Sequence, residues 1–328
     1  MRFPWFGRRE GRETGGSRLS APVDVVSGPL KTAAVYANSF NGLNPSIRST
    51  GFCTYARRYE SVMNPVDDPG IASAFLVNTR LRRGDREGEQ SVYTYFEDVS
   101  ATMLALSGKR QRSNTSSFVL PPPVRMQLAL SEVVARRRSS RSYTGDAISL
   151  NELSTILTAA AGVTTQESVE LEGAEPVTLQ FRSVASAGGL YPIDVVFASI
   201  NIVGLPGGVY SYDPIEHRLL AMFPAERVES LLGCVAVPEE AISIRRSCGV
   251  ILLIGQPWRT MRKYGPRGMR FVFMEAGAIA HGVALAATAL GCGSVDCASV
   301  YDDEVHEVLY LDGTDMTLLH VIIIGCPA

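Results

Sequence analysis

The sequence lacks the residue patterns of a metal-binding or disulfide-stabilised protein. Its 328 residues include four scattered histidines and six cysteines that form no Cys-x-x-Cys pair: Cys53, Cys234, Cys248, Cys292, Cys297 and Cys326. Structural zinc sites need closely spaced cysteine or histidine ligands. We therefore expect no metal, and we interpret the cysteines as reduced core thiols of a cytoplasmic protein.

The sequence also lacks an excess of charge and a long apolar run. The 31 Lys and Arg residues nearly balance 33 Asp and Glu, and the net charge of −2 predicts no nucleic acid or membrane as partner. No apolar segment follows Arg8 and Arg9, so we predict no export signal. The longest apolar run, residues 276–290, is short for a membrane span and predicts a helix buried in the core or at a subunit interface.

Composition and turn signals divide the chain into four parts. Residues 1–30, rich in Arg, Gly and Ser, are predicted to form a partly disordered tail. Helical patterns at 72–81 and 91–106 predict a small helical N-terminal region over residues 31–107. A polar stretch that ends in three prolines predicts a linker over residues 108–123. The remainder, 124–328, is predicted to be one folded domain.

Within residues 124–328, helical and strand patterns alternate. Helices are predicted at 126–138, 149–161, 226–232, 271–290 and 302–310. A capping box of Ser149 and Glu152 opens the second of them. Strands are predicted at 194–203, 210–213, 217–221, 248–255 and 318–324. The alternation predicts an α/β or α+β sandwich with a central sheet.

A basic segment between two predicted helices has the residue types that bind a phosphate monoester. It reads Arg-Arg-Arg-Ser-Ser-Arg-Ser-Tyr over residues 136–143. Guanidinium groups form planar, bidentate hydrogen bonds to phosphate oxygens, and serine hydroxyls can donate beside them. A basic run is also typical of a solvated helix end, so this segment alone identifies no ligand.

Two later motifs are rich in glycine. Residues 186–192, Ser-Ala-Gly-Gly-Leu-Tyr-Pro, would let the backbone approach a flat ring or a phosphate closely, although an ordinary turn into a strand gives the same pattern. Residues 290–294 place glycine after the long helix, which is typical of a helix C-cap. Cys292 in that motif has no neighbour that would activate a thiolate, so we do not predict a nucleophile there.

Lys263 and Tyr264 stand side by side before a Gly-Pro pair. The pattern suits an ordered loop over a pocket, and it equally suits a surface loop. Both side chains can exchange protons if burial or neighbouring cations lower their pKa values, and we expect Arg267 and Arg270 to lower that of Lys263.

In this order the motifs resemble the flavin-dependent nitroreductase superfamily, specifically its SagB-type azoline dehydrogenase branch. The resemblance extends over residues 120–328 and rests on segments 137–143, 186–192, 208–214, 263–271 and 275–277. It implies an FMN-dependent α+β fold with a central, mainly antiparallel sheet flanked by helices. It also implies an obligate homodimer with two active sites at the subunit interface. Where relatives often read Glu-Ala-Gly-His and then Gln-Asn, this chain has Ala278 and then His281-Gly282.

The resemblance also implies roles for individual residues. The phosphate, ribityl chain and pyrimidine edge of FMN would be held by Arg137, Arg138, Ser139 and Arg141. The isoalloxazine ring would be lined by Ser186, Ala187, Gly188 and Gly189. Lys263 and Tyr264 match the Lys-Tyr pair assigned to catalysis in this branch, and either could be the base.

The branch oxidises thiazoline or oxazoline rings of a ribosomally made precursor peptide to thiazoles or oxazoles. The implied partners are therefore that peptide and a cyclodehydratase complex. Two alternatives stay open: an NAD(P)H-dependent nitro or quinone reductase, and a catalytically idle scaffold subunit of a peptide-modifying complex.

Overall fold

The chain divides into two units, residues 1–80 and 81–328, and the computed structural model describes residues 70–80, 116–169 and 177–328. In the first unit, helix α1 (Gly70–Asn78) lies where the sequence predicts a helix at 72–81. The predicted tail, the predicted helix at 91–106 and residues 108–115 of the predicted linker lie outside the described residues.

The second unit is built on antiparallel strands. Its described strands are β1 (Ser117–Val119), β2 (Ile148–Ser149), β3 (Val163–Val169), β4 (Val177–Arg182), β5 (Ile193–Ser199), β6 (Ile202–Val203), β7 (Gly208–Asp213), β8 (Arg218–Pro224), β9 (Gly249–Gly255), β10 (Gly293–Cys297) and β11 (Thr317–Gly325). Seven of them form one sheet in the order β1-β8-β7-β5-β9-β11-β10, with every neighbouring pair antiparallel. The predicted central antiparallel sheet is confirmed.

Helices cover both faces of this sheet. Among the described residues of the second unit they are α2 (Leu130–Arg136), α3 (Leu150–Ala161), α4 (Glu226–Gly233), α5 (Pro257–Tyr264), α6 (Gly268–Ala289) and α7 (Asp302–Leu309). Ile251 and Leu253 of β9 share one apolar core with α3 and α6. Val250 and Leu252 point to the other face and share a second core with α4 and α7. Alternate residues of one strand therefore serve two cores, which explains why β9 is apolar and buried along its whole length.

Helix α3 begins as the sequence predicts. The Ser149 hydroxyl accepts a hydrogen bond from the Glu152 amide at 3.2 Å, and the Glu152 carboxylate accepts one from the Ser149 amide at 2.7 Å. This reciprocal pair satisfies two amides that the first helical turn leaves without partners. The segment before the helix is also attached to it, because the Val124 amide donates to the Thr155 hydroxyl at 2.9 Å.

Some elements differ from the prediction. Helix α2 begins at Leu130 rather than at 126, because Ala129 still has extended backbone geometry. The hairpin of β3 and β4 was not predicted; β3 is polar and exposed, whereas β4 alternates in polarity but was not recognised as a strand. Strand β1 lies within the predicted linker, so the end of that segment belongs to the sheet.

The stretch 257–289 is long and apolar enough to cross a membrane by length and composition, and half of its most apolar window is buried inside the protein. It combines α5 and α6, and α6 packs its buried face against α3 and the sheet. Core helices of folded domains meet the same criteria.

Candidate functional site

The glycine motif forms a tight turn between β4 and β5. Ala187–Gly189 is a short 3₁₀ turn, in which Gly188 and Gly189 both have φ of 65°. Side chains with a Cβ rarely adopt this left-handed geometry, so the turn needs glycine at these positions. Gly188 is exposed, whereas Ser186, Ala187 and Gly189 are half-buried.

Lys263 and Tyr264 lie on the last turn of helix α5, not on the loop that the sequence predicted. The helix begins at Pro257, whose fixed φ suits a first helical position. It ends at Gly265, whose φ of 56° is the left-handed geometry that often terminates a helix. The Gly-Pro pair therefore stops a helix that carries both side chains, and their geometry is fixed by regular backbone.

The structure brings the glycine turn and the Lys-Tyr pair together. A Cβ atom placed on Gly188 would lie 2.9 Å from the Tyr264 hydroxyl and 3.1 Å from the Lys263 ammonium nitrogen. These distances are below normal van der Waals separation for carbon. Gly188 therefore has a second reason to be glycine, because the polar ends of Lys263 and Tyr264 occupy the space that a side chain would need.

Burial shifts the two side chains in opposite directions. Lys263 is only 8% exposed, and burial lowers its pKa. Burial raises the pKa of Tyr264, whose ring packs edge-on against Phe271 with centroids 5.0 Å apart. The sequence predicted a lowered Lys263 pKa from burial beside Arg267 and Arg270, and desolvation by burial is the cause of the shift. A lowered ammonium pKa favours Lys263 as a proton acceptor, and a raised phenol pKa keeps Tyr264 a donor.

The basic segment lies at the end of α2. Arg137 is half-buried, and Arg138, Ser139 and Arg141 are exposed. Arg138 donates to the carbonyl oxygens of Ala135 at 3.1 Å and Arg137 at 2.7 Å, so its guanidinium is partly occupied locally. The guanidinium groups of Arg137 and Arg141 form no hydrogen bond or ion pair with another described residue, and both are available to an anion.

One chain does not bring the basic segment and the glycine turn together. The Arg141 carbonyl accepts from Ser243, and the Thr144 amide donates to Cys326, which places the basic segment at the Gly249 end of β9. The Pro192 carbonyl accepts from Gln256 at 2.7 Å, which places the glycine turn at the Gly255 end. Seven residues at about 3.3 Å each separate these ends by roughly 20 Å. The two halves of the predicted site are therefore at opposite ends of one strand.

The departures on α6 have distinct positions. Ala278 and His281 are exposed, on the same outward face as Met274, which is 70% exposed. Gly282 instead faces α3, where an added Cβ would lie 2.7 Å from the Ala159 carbonyl oxygen. The glycine thus allows the two helices to approach closely.

Sequence reasoning missed the charged residues that hold the glycine turn. Arg182 on β4 and Arg259 on α5 contact Tyr191 from two sides, and Glu275 of α6 is buried nearby. Arg182 and Arg259 carry no local sequence signal. Glu275 does carry one, because it is the only acidic residue in the apolar stretch 271–290.

Within the described residues, no group of three or more His, Cys, Asp or Glu side chains is arranged to hold a metal ion. The polar groups that could meet a ligand are the two guanidiniums near α2, and the Lys-Tyr pair lies beside the glycine turn. Cationic donors, and a turn without side chains that can accept a flat ring, are what a phosphorylated aromatic cofactor requires. The residues present fit such a cofactor.

Comparison with known proteins agrees with this fold. The chain belongs to the Nitroreductase family, whose family profile matches residues 134–325. Members of this family of oxidoreductases typically bind flavin. A predicted nitroreductase of Methanocaldococcus jannaschii is 35% identical over 196 residues, which are 60% of this chain and 91% of that protein.

Solved structures show the same fold. A predicted nitroreductase of Ralstonia eutropha aligns with 65% of this chain and 90% of its own, with a TM-score of 0.51 and 24% identity. One from Anabaena variabilis aligns with 82% of this chain and 49% of its own, with a TM-score of 0.57 and 20% identity. At these identities the similarity concerns the fold alone.

Proposed function

We propose that this chain is an FMN-dependent dehydrogenase that oxidises thiazoline or oxazoline rings of a precursor peptide to thiazoles or oxazoles. The observation that carries the proposal is the placement of Lys263 and Tyr264 on one helical turn, with their polar ends against Gly188. An amine and a phenol that face the turn proposed to line the flavin ring would be positioned for proton transfer to and from a substrate stacked there.

The opposite pKa shifts support separate roles for the two side chains. Aromatisation of an azoline removes a proton from one ring carbon and a hydride from the other, and FMN supplies the acceptor for the hydride. Lys263, whose pKa burial lowers, would accept the proton at its Nζ atom. Tyr264, whose pKa burial raises, would stay protonated and orient the substrate by donating from its hydroxyl.

The cofactor would be held by both subunits of a homodimer. Arg137, Arg138, Ser139 and Arg141 would bind the phosphate end, and the turn of Ser186 to Gly189 would line the ring. Because these groups lie roughly 20 Å apart at opposite ends of β9, a second copy would complete each site. Symmetric dimers place equivalent composite sites at a shared interface in this way.

An exposed apolar face on α6 supports the same dimer. Met274, Gly277 and Ala278 lie on its outward side, and the neighbouring α2 carries Leu130 at 68% and Val134 at 57% exposure. A monomer would leave these apolar side chains in water, whereas a second copy would bury them.

Family membership also supports a second candidate, a reductase of nitro compounds or quinones fed by NAD(P)H, since the matched archaeal relative is described as a nitroreductase. That reaction uses the same cofactor but no peptide. An idle scaffold subunit within a complex that contains a cyclodehydratase is the third candidate, and it requires neither flavin reduction nor azoline turnover.

The test compares Lys263→Ala and Tyr264→Phe with the parent. General acid–base groups contribute about 10²–10⁴-fold, so we expect azoline oxidation to fall in that range while the flavin absorption spectrum stays unchanged. The measurement is azole formation on a synthetic azoline peptide by mass spectrometry, together with flavin reduction by NADPH. The matched control is Arg262→Ala, an exposed cation on the same helix.

Parental azole formation by both flavin-loaded variants would remove the pair from the mechanism. Fast flavin reduction by NADPH without azole formation by the parent would favour the reductase, and a colourless parent would favour the scaffold.

A further inference from the structure

A buried carboxyl group lies behind the glycine turn. Glu275 is 5% exposed, and its Oε2 atom has no hydrogen-bond partner among the described residues. Burying a carboxylate without full hydrogen bonding costs free energy, so its presence in an apolar helix indicates a role other than packing. The groups that face it are the Ser186 hydroxyl from the turn, the Arg182 guanidinium from β4 and the Arg259 guanidinium from α5.

Ser186 connects this carboxyl to the turn. Its hydroxyl acts as a hydrogen-bond donor to Glu275, and its oxygen accepts from the Tyr191 amide at 2.9 Å. Its carbonyl oxygen also accepts from the Gly189 amide at 3.1 Å. Both ends of the turn that contains Gly188 therefore depend on Ser186, and Ser186 is oriented by Glu275.

Tyr191 closes the turn in a strained conformation. Its φ of 46° lies in the left-handed region, which a non-glycine residue adopts only where its surroundings hold it there. Arg182 holds it there twice: its amide donates to the Tyr191 hydroxyl at 3.0 Å, and its guanidinium lies 4.4 Å from the ring centroid. Arg259 donates to the Tyr191 carbonyl at 3.1 Å and to Asp194 at 2.9 Å.

Arg259 stands on the same helix as Lys263, one turn earlier. The hydrogen bond from Arg259 to Tyr191 therefore ties the glycine turn to the helix that carries the Lys-Tyr pair. Through these contacts α5, α6 and β4 all fix the position of Gly188.

We infer that Glu275 is a positioning residue: it acts on Ser186 while Arg182 acts on Tyr191, and together they hold the glycine turn against Lys263 and Tyr264. The inference rests on the proposed roles of that pair, and it adds a residue to which neither the family membership nor the motif comparison assigns a task. Glu275 does not touch the reacting atoms. It keeps Lys263 buried, because Gly188 covers the ammonium group only while the turn is closed.

The charge state of Glu275 gives the arrangement a pH dependence. Burial raises the pKa of Glu275 to about 7, against the opposing effects of Ser186, Arg182 and Arg259. Glu275 therefore stays protonated in the folded protein up to about pH 7, whereas in the unfolded chain it loses its proton at lower pH. The stability from this group is present below the unfolded pKa and is lost as pH rises towards about 7.

The test measures the pKa of Lys263 in the full chain without added flavin or substrate. Amine labelling as a function of pH, read by mass spectrometry of the peptide that contains Lys263, gives this value directly. We compare the parent with Glu275→Gln, Ser186→Ala and the double variant, and use Glu307→Gln, an exposed carboxylate on α7, as control.

If Glu275 positions the turn, Glu275→Gln and Ser186→Ala each move the labelling midpoint of Lys263 to higher pH, and the reactive fraction at pH 8 falls severalfold. The double variant adds little, because both changes break one chain of contacts. Folded variants with the parental midpoint, or a double variant with fully additive effects, would overturn the inference.

A second arm follows azoline oxidation by the flavin-loaded enzyme as a function of pH. We expect the rate of the parent to depend on a group that titrates near pH 7, and we expect this dependence to be lost in Glu275→Gln. A pH profile of Glu275→Gln that matches the parent would also overturn the inference. If the parent oxidises no azoline, the proposed function fails, and the labelling arm still decides the role of Glu275.

Discussion

Two variants that are each inactive should restore activity when they share a dimer. Arg141 and Lys263 lie near opposite ends of β9, so we expect each site to take its Arg141 from one subunit and its Lys263 from the other. In a heterodimer of an Arg141→Ala chain with a Lys263→Ala chain, one site then carries both changes and the other carries neither.

The size of the recovery follows from this arithmetic. Alone, Lys263→Ala lowers the rate by about 10²–10⁴-fold. Arg141→Ala removes charge-assisted hydrogen bonds of about 1.5–3 kcal/mol, which weakens flavin binding by roughly ten- to hundredfold. A purified heterodimer has one intact site of two, so it should reach about half of the parental rate per dimer.

The assay co-expresses the two chains with different affinity tags and purifies the heterodimer in two steps. Flavin is supplied at one equivalent per site, and azole formation is measured beside both homodimeric variants. The matched control pairs Lys263→Ala with Tyr264→Phe. Both residues come from the same helix α5, so each site of that heterodimer keeps one defect and recovers nothing.

A heterodimer of Arg141→Ala and Lys263→Ala chains that stays as slow as its parents would refute the shared site. The basic segment would then serve the glycine turn of its own chain or bind no flavin. Recovery in the control pair would show instead that defects within one site compensate indirectly, so that recovery does not report a shared site.

Two further predictions test the local geometry. Gly188→Ala should leave the protein folded but slow catalysis, since the new methyl group would lie 2.9 Å from the Tyr264 hydroxyl. The control is Gly291→Ala, because Gly291 also has a positive φ but has open space around its Cβ position. Equal losses of activity in both variants would show that backbone strain, and not the contact with Tyr264, is the cause. Ser149→Ala should lower the free energy of unfolding by about 1 kcal/mol in urea titrations, and an unchanged midpoint would show that the capping box contributes nothing.

The sequence predicted the central sheet well for a physical reason. Strands such as β9 are buried on both faces and therefore appear as unbroken β-branched and aliphatic runs. Strand β4 does alternate, as Val-Thr-Leu-Gln-Phe-Arg, and was not recognised, whereas the exposed strand β3 carries Thr, Gln and Glu without an alternating pattern. Edge strand β10, with a single aliphatic residue in five, was missed for the same reason.

At the site, residue identity was easier to predict than placement. Lys263 and Tyr264 were predicted on a loop because Gly265-Pro266 indicates a turn, but that pair ends a helix that Pro257 begins. The Arg182, Tyr191, Arg259 and Glu275 contacts could not be predicted, because the residues are far apart in sequence and meet only when β4, α5 and α6 pack together.

The buried Glu275 carboxyl differs from the buried network around His217. His217 also has a strained φ of 46°, and its ring contacts the Ser154 hydroxyl at 2.8 Å and the Tyr212 hydroxyl at 3.0 Å. Both ring nitrogens have partners there, which is how a structural network offsets the cost of burial.

Glu275 is the only charged side chain among the described residues with a buried oxygen that no partner satisfies. Replacing a buried ion pair by apolar residues is often neutral for stability, so folding alone does not explain why a carboxyl group is kept at this position. The location of Glu275 behind the turn that covers Lys263 explains why the carboxyl group is kept. Because this group titrates near neutral pH, its charge changes in the pH range where the enzyme would work, and its contacts with the turn change with it.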